Sequence, residues 1–198
     1  MTFGNREKKD LIFAGFMISL AFGILFAGGG SALLSFNYVI FIGFILAFFT
    51  AGVGFLLHEL MHRYVARRYG LRAEFRAFNS MLWMTLLFSF FGFIIAAPGA
   101  VFISGRMDKE KNGKVSLAGP MTNIILAMAF LIGLIAIGKS GFLGIFFSLG
   151  LSINSLLGAF NMIPAMPFDG AKVLAWNKAV YFIVLIFAIG LFFSSWFF

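Results

Sequence analysis

The amino-acid sequence predicts an all-α polytopic membrane protein with five to six transmembrane helices. Hydrophobic residues make up 62% of the 198 residues and charged residues only 11%. A water-soluble domain of this size cannot bury so much apolar surface. The charged residues are also grouped into short clusters. The uncharged runs between the clusters reach the length of about 20 residues that a bilayer-spanning helix needs.

The uncharged runs give the predicted spans in chain order. The first run is long enough for two spans joined by a glycine-rich turn, and the later runs are long enough for one span each. The predicted spans are Leu11–Gly28, Phe36–Tyr64, Val115–Gly138, Phe142–Ile163 and Ala179–Phe198. No stretch of the sequence indicates a soluble domain or a clear repeat, so residues 1–198 are predicted to form a single transmembrane domain.

A further hydrophobic segment, Phe78–Ser104, is long enough to cross the bilayer but contains Pro98 and a β-prone end. If this segment enters the membrane and returns on the same side, one membrane face carries all of the 15 lysines and arginines except Lys139. Basic residues concentrate in cytoplasmic loops, which favours this re-entrant arrangement with a cytoplasmic N-terminus and an external C-terminus. Irregular backbone at membrane depth must be buried in protein or line a wet cavity, so the re-entrant segment implies a cavity.

The charge composition excludes several classes of function. The net charge is +8 and the sequence pI is about 10.1, but the basic residues lie in short loops between spans, as topology signals do. Nucleic-acid binding is therefore not expected. The chain has no cysteine, which excludes disulfides and thiolate-bound metal ions.

The end of the second predicted span carries the motif "HELMH", which contains both histidines of the chain. His58 and His62 are four residues apart, so their imidazoles lie on one helix face, and Glu59 follows the first. In this H-E-x-x-H pattern, two histidines bind zinc and the glutamate serves as general base for hydrolysis. Ionisable residues inside a span are costly and indicate function. The alternative is a chance match, or polar residues satisfied inside a helix bundle.

A catalytic zinc ion usually has three protein ligands, and the sequence leaves a carboxylate as the third. Five acidic residues lie in charged flanks or loops: Glu7, Asp10, Glu74, Asp108 and Glu110. With Glu59 assigned as the base, Asp169 in "FNMIPAMPFDG" remains. Pro164 and Pro167 are expected to break the preceding helix there, and Gly170 permits an unusual backbone angle. The alternative is that Asp169 only caps a helix after an ordinary turn.

Topology and depth agree with this ligand set. Asp169 reaches the membrane face of His62 only if Phe78–Ser104 is re-entrant; otherwise a core about 30 Å thick separates them. A helix over Phe36–Leu57 has a length of about 33 Å and already crosses that core. The arginines that follow His62 mark the interface, so the site is expected just inside the cytoplasmic boundary, where water for hydrolysis can reach it.

The two motifs together resemble the site-2 protease family of intramembrane zinc metalloproteases. That family pairs H-E-x-x-H on one span with an N-x-x-P-x-x-P-x-D-G-like motif on a later span. This sequence has "HELMH" and then "NMIPAMPFDG" over Asn161–Gly170. The segment "AGPMTN" (Ala118–Asn123) is similar to the motif that opens the family's intervening helix. The resemblance covers roughly residues 36–172, and the chain lacks the PDZ or CBS domains of many relatives.

The resemblance implies one Zn²⁺ ion bound by His58, His62 and Asp169, with Glu59 as the catalytic base. It also implies that Asn161 holds substrate or stabilises the transition state, and Asn154 is a weaker candidate for substrate binding. The hydrophobic insert Phe78–Ala97 is longer than in the most compact members of the family. A single transmembrane metalloprotease domain over residues 1–198 of a multi-pass cell-membrane protein is therefore expected.

The expected function is cleavage of a peptide bond within or near a transmembrane helix of another membrane protein in the lipid bilayer. Such a substrate must unwind locally, and Gly99–Ser104 ("GAVFIS") is expected to form a short β element near the active site that pairs with it. That segment could also be a loop packed on the core.

Two other functions remain open: a metal-handling membrane transporter, because intramembrane His and Asp often mark ion pathways, and an inactive scaffold of the same fold.

Overall fold

A computed structural model of the protein describes residues 3–31, 38–95 and 98–197. Within these residues, five helices are long and apolar enough to cross a bilayer. They are Asn5–Phe26, Val39–Arg68, Lys109–Ile137, Gly141–Asn161 and Lys178–Phe197. The predicted class of all-α polytopic membrane protein is confirmed, and each predicted span has a counterpart. The predicted span boundaries Phe36 and Phe198, and Ala97 at the end of the predicted insert, lie outside the described residues.

The elements follow one another along the chain with short connections. The helices are α1 (Asn5–Phe26), α2 (Val39–Ala47), α3 (Val53–Arg68), α4 (Asn79–Phe90), α5 (Lys109–Ile137), α6 (Gly141–Asn161), α7 (Asp169–Trp176) and α8 (Lys178–Phe197), and the strands are β1 (Arg72–Ala77) and β2 (Gly99–Ser104). A π-helical turn, Phe48–Gly52, joins α2 to α3 in one continuous span. The first helix begins before Leu11 because the charged residues 6–10 continue it beyond the apolar run.

The chain divides into two compact units, Met1–Leu56 with Glu74–Phe102 and Leu57–Ala73 with Ile103–Phe198. In the first unit, α1 packs against α2 and α4. Gly15, Ser19 and Gly23 recur every four residues along α1, and a Cβ atom on Gly23 would lie 2.8 Å from the backbone nitrogen of Phe44. Small residues of this kind let the backbones of membrane helices approach closely.

The hydrophobic segment Phe78–Ser104 returns to the point where it starts. Its helix α4 has 12 residues, a length of about 18 Å, which is too short to cross a core of about 30 Å. The backbone N–H of Phe78 donates to the carbonyl of Pro98 at 3.0 Å, so the two ends of the hydrophobic stretch are in contact. Between them, Thr85 Oγ1 donates to the carbonyl of Ile95 at 2.8 Å. These bonds agree with the predicted re-entrant path.

The strands β1 and β2 pair in a two-stranded sheet. Gly99 at the start of β2 lies against Arg76 near the end of β1, and Gly105 just after β2 lies against Leu71 just before β1. The strands are therefore antiparallel. The predicted β element at Gly99–Ser104 is a strand in the structure.

Two carboxylates occupy the edge of β1 that faces away from β2. The N–H of Phe75 donates to Glu7 Oε1 at 3.0 Å, and the N–H of Ala77 donates to Asp10 Oδ2 at 3.2 Å. N–H groups alternate between the two edges of an antiparallel strand, so these two point outward from the sheet. Residues 3–31, 38–95 and 98–197 supply no third strand, which leaves the outer edge of β2 open.

In the second unit, α5 packs along α6, and α8 packs against α6 and α7. The core between these helices is apolar and consists of Ile124, Ala127, Leu134, Leu151, Met162, Val173, Tyr181, Val184, Ala188 and Leu191. Glycines allow aromatic rings into the α5–α6 contact, since Gly133 faces Phe147 and Gly150 faces Phe130. This packing fixes α5 beside α6 and holds the short helix α7 against both α5 and α8.

The re-entrant path predicts which loops share a membrane face. Because the chain has no cysteine, single cysteines can be introduced at the exposed positions Arg72, Lys109 and Ser140. The variants are treated with a membrane-impermeant thiol reagent in sealed vesicles of one orientation. We expect Arg72→Cys and Lys109→Cys to give the same result, labelled or unlabelled, and Ser140→Cys to give the opposite result. Labelling of Arg72→Cys together with Ser140→Cys, and apart from Lys109→Cys, would show that Phe78–Ser104 crosses the bilayer, because the span Lys109–Ile137 would then return the chain to the face of Arg72.

Candidate metal centre

The second unit brings the two histidines and Asp169 together. On α3, one turn separates His58 from His62, and their Nε2 atoms lie 3.0 Å apart. Asp169 begins α7, and its Oδ2 lies 3.0 Å from Nε2 of His62 and 3.5 Å from Nε2 of His58. The three side chains form a group whose ligand atoms all lie close enough to bind one metal ion. The predicted ligand residues therefore do meet in the structure.

The chain reaches Asp169 by a close approach of two backbone segments. Helix α6 ends at Asn161, and the loop with Pro164 and Pro167 leads into α7. A Cβ atom on Gly170 would collide with the carbonyl of Met162. Gly170 is not among the glycines with positive φ, so the expectation of an unusual backbone angle is wrong. The position requires glycine because a side chain would keep the two segments apart.

Hydrogen bonds at the far side of each ring decide which histidine nitrogen carries the proton. His62 Nδ1 donates to the carbonyl of Val115 at 2.7 Å, and His58 Nδ1 donates to Asn123 Oδ1 at 2.6 Å. A carbonyl oxygen can only accept, so Nδ1 is protonated in both rings. In the neutral rings, each Nε2 then presents a lone pair towards the other and towards Asp169 Oδ2. Three acceptor atoms that converge in a buried site fit a cation.

The size of the group fits zinc. Zinc binds histidine nitrogen and carboxylate oxygen at about 2.0–2.1 Å, and the ligand atoms of a tetrahedral site are then about 3.3 Å apart. The separations of 3.0, 3.0 and 3.5 Å lie around that value. The space beside the group is kept open by Gly119 of α5, where a Cβ atom would lie within 2.5 Å of Nε2 of both histidines.

The carboxylate of Asp169 is suited to bind a cation. Burial raises the pKa of Asp169, but the positive charge that His62 and His58 carry when protonated outweighs burial and holds the pKa well below its usual range; a bound cation supplies positive charge at the same place. The carboxyl group is therefore ionised. While Oδ2 faces the histidines, Oδ1 lies 3.5 Å from Nζ of Lys172, one turn further along α7. This contact turns one oxygen away from the histidines and leaves the other as the single ligand atom.

The remaining predicted site residues occupy three different environments. Glu59 follows His58 on α3 and is 9% exposed. Asn161 is partly buried at the end of α6, where its Nδ2 donates to the carbonyl of Leu157 at 2.9 Å. Asn154 is fully buried; its Oδ1 accepts from Asn123 Nδ2 at 3.1 Å. Asn154 is thus linked to His58 through Asn123, while the catalytic and substrate roles of these residues stay predictions.

The sequence singled out Ala118–Asn123 of α5 as similar to a family motif but did not predict what this helix contributes to the site. Val115, Gly119 and Asn123 stand four residues apart, so they lie on one helix face. Val115 supplies a carbonyl to His62, and Asn123 supplies an amide oxygen to His58. Gly119, between them, leaves space beside both histidines. The sequence signal was a glycine and an asparagine four residues apart in an uncharged span. Its meaning depends on the histidines of α3, which the sequence does not place beside this face of α5.

The fold and the site define a class: a multi-span membrane protein in which two buried histidines and one partly buried carboxylate form a group that could bind a metal ion. Over 188 residues, the chain is 42% identical to MJ0611 of Methanocaldococcus jannaschii, a relative whose name assigns it provisionally as a zinc metalloprotease; the match covers 92% of this chain and 90% of the relative. The chain belongs to the site-2 protease family of zinc metalloproteases, and its cofactor is Zn²⁺.

Other relatives match a smaller part of their own length. The zinc metalloprotease MJ0392 of Methanocaldococcus jannaschii is 32% identical over 133 residues, which is 66% of this chain and 32% of that protein. YwhC of Bacillus subtilis, also provisionally named as a zinc metalloprotease, is 30% identical over 146 residues, 63% of this chain and 65% of that protein. No family model and no solved structure matches the chain.

The glycine at position 119 provides a test of the metal site. In Gly119→Ala, the added methyl group would stand within 2.5 Å of Nε2 of both histidines, so we expect the bound zinc to fall from one ion per chain to near zero. Zinc content is measured on purified protein by elemental analysis, and helicity by circular dichroism. Gly190→Ala is the control, since a Cβ atom there meets nothing within 4 Å. Full zinc content in Gly119→Ala would contradict the site.

Proposed function

We propose that this chain is an intramembrane zinc endopeptidase of the site-2 type, which hydrolyses a peptide bond within or near a transmembrane helix of another membrane protein. The observation that carries the proposal is the group of His58, His62 and Asp169, whose three acceptor atoms converge in a helical membrane protein. The names of the relatives support a metalloprotease, and the five apolar helices support a substrate that is also in the membrane.

In this proposal, His58, His62 and Asp169 bind one Zn²⁺ ion. Zinc, when bound, supplies a Lewis acid that polarises the scissile carbonyl and lowers the pKa of water. The protein residues keep the ligand geometry fixed. The backbone carbonyl of Val115 and the amide of Asn123 hold the two imidazoles, and Lys172 holds the second oxygen of Asp169. Such partners of the ligands orient them and tune the metal.

Glu59 is the proposed general base. It neighbours a metal-binding histidine on the same helix, and its side chain is 9% exposed. In the proposed reaction, the Glu59 carboxylate takes a proton from the attacking water and then gives that proton to the leaving amine. A single carboxylate can serve in both steps because, once it has taken the proton, it is an acid that can donate it. The peptide nitrogen must receive that proton before the C–N bond breaks.

We place the substrate along the outer edge of β2. A helical substrate has its backbone groups bonded internally, so it must unwind before cleavage, and an added strand gives its freed backbone groups new partners. The bond between Phe78 and Pro98 sets the register of the sheet. By regular alternation, the N–H groups of Gly99, Val101 and Ile103 then point away from β1. Asn161 is proposed to hold the substrate near the scissile bond.

The proposal takes residues 1–198 as one catalytic domain of a multi-pass cell-membrane protein. The span Val39–Arg68 contributes residues to both compact units, which supports a single functional domain. The N-terminus and the opening of the site are placed on the cytoplasmic side, because the loops on that face carry all of the 15 basic residues except Lys139.

Substitution of the base tests the proposed function. We expect Glu59→Gln to lower the cleavage rate by about 10²- to 10⁴-fold, the usual contribution of acid–base catalysis, while zinc remains bound. Cleavage is measured by co-expression with candidate single-span membrane proteins. Glu110→Gln is the matched control, since Glu110 lies at the exposed start of α5 and pairs with Lys114.

Two results would contradict this assignment. Full cleavage by Glu59→Gln would remove Glu59 from the mechanism. Metal-dependent uptake into vesicles, with no cleavage of any co-expressed membrane protein, would favour a metal transporter instead.

The role of β2 is tested at Val101. Val101→Pro removes an N–H that points away from β1, so the bonds between the two strands are kept. We expect a loss of about five-fold in cleavage, which corresponds to one hydrogen bond of about 1 kcal/mol, with unchanged zinc content. Val101→Thr keeps both the N–H and the branched shape and should cleave normally. Equal rates for the two variants would exclude pairing at this N–H.

A further inference from the structure

We propose that Asn154 is a positioning residue for the metal ligand His58, on which it acts through Asn123. The inference deepens the proposed function, because it rests on His58 as a ligand. Asn154 would not contact the substrate; instead it would decide which nitrogen of His58 carries the proton and where Nε2 points. Three hydrogen bonds link Asn154 to the carbonyl of Gly150, to Asn123 of α5 and, through Asn123, to His58 of α3.

The carbonyl of Gly150 decides which atom donates and which accepts in each of the three hydrogen bonds. The carbonyl of Gly150 can only accept, so it receives Nδ2 of Asn154, at 2.9 Å. Asn154 Oδ1 is then the atom that accepts Nδ2 of Asn123, at 3.1 Å. This places Asn123 Oδ1 towards His58 Nδ1, at 2.6 Å. Each amide thus fixes the orientation of the next, and His58 must be the donor.

Burial makes the orientation strict. Asn123 and Asn154 are both 0% exposed, and His58 is 5% exposed. Buried amide groups need hydrogen-bond partners. If either amide turned over, two acceptor atoms would face each other at one of its contacts and two donor atoms at the other. The pairing of donors with acceptors therefore holds from Gly150 to the imidazole, and Nε2 of His58 keeps its lone pair towards Asp169.

The two histidines are held in different ways. His62 depends on a backbone carbonyl, that of Val115, which side-chain substitution does not remove. His58 depends on two side chains, from α5 and α6. The end of α6 also leads into the loop that precedes Asp169, the first residue of α7. Helix α6 therefore influences two of the three proposed ligands, and a change at Asn154 should affect His58 while His62 remains as an internal reference.

The test uses the fact that the chain has only two histidines. The full-length protein in detergent micelles is labelled with ¹⁵N-histidine, loaded with Zn²⁺, and its Nδ1–H signals are recorded by NMR. Single substitutions His58→Gln and His62→Gln assign the signals. In the unsubstituted protein, we expect slow solvent exchange for both Nδ1–H protons. In Asn154→Leu, we expect faster exchange and a shifted signal for His58 alone.

Zinc affinity provides a second readout that needs no substrate. Loss of a residue that orients a metal ligand typically weakens binding by 10- to 100-fold. We expect about 10-fold for Asn154→Leu by competition with a chelator, since its effect passes through Asn123. Asn154→Asp, in its neutral form, keeps one donor and one acceptor and should restore both readouts. The matched control is Ser155→Ala, because Ser155 is equally buried and bonds only within α6 among the contacts resolved here.

Several outcomes would overturn the inference. Unchanged exchange and zinc affinity in Asn154→Leu would do so, as would equal changes at both histidines, which would indicate general loosening. If Asn154→Leu does not fold, the unsubstituted protein decides: an Nδ1–H of His58 that exchanges as fast as a free imidazole excludes the chain of bonds. Lost cleavage in Asn154→Leu with both readouts normal would assign Asn154 to the substrate.

The readouts also separate this inference from the proposed function. A chain that binds zinc with His58 held as described, but cleaves no membrane protein, would contradict the proposed function and support the role of Asn154. Cleavage of a membrane protein by the unsubstituted chain, with unchanged Nδ1–H exchange and zinc affinity in Asn154→Leu, would support the proposed function and contradict the role of Asn154 alone.

Discussion

The constraint on which the structure depends is the mutual repulsion of three lone-pair-bearing atoms inside a buried site. Nε2 of two histidines and an oxygen of Asp169 lie 3.0 to 3.5 Å apart, and each presents an acceptor to the others. Such an arrangement is stable only with positive charge between the atoms, because burial removes the water that would otherwise solvate them. The short helix α7, the loop before it and the contacts behind each imidazole all serve to hold this group together.

Helix α5 organises the group although it supplies no ligand. Three positions on one of its faces, Val115, Gly119 and Asn123, provide a carbonyl, a gap and an amide oxygen. The gap is as necessary as the hydrogen bonds, since any side chain at Gly119 would enter the space where the ligand atoms converge. The same helix packs along α6, so the precision of the metal site depends on ordinary apolar packing between two membrane helices.

The sequence predicted the spans and the ligand residues because both depend on local or countable properties. Uncharged runs define the spans, and His58, His62 and Asp169 followed from the scarcity of other ligands in the chain. The π-helical turn at Phe48–Gly52, the buried position of Glu7 and the contact between Asn123 and Asn154 were not predictable. Each depends on which element packs against which, and one sequence carries no record of that packing. Glu7 was assigned to a charged flank, whereas the edge of β1 provides its partner.

The two carboxylates on the edge of β1 also bear on how copies of this protein meet. A sheet with two open edges can recruit strands on both sides and grow without limit, which is the route to fibrils. Here Glu7 and Asp10 occupy N–H groups at the outer edge of β1, and in residues 3–31, 38–95 and 98–197 no strand pairs with the outer edge of β2. If two chains joined at their β2 edges, they would form a closed pair, because the other edge of each sheet is occupied by the two carboxylates.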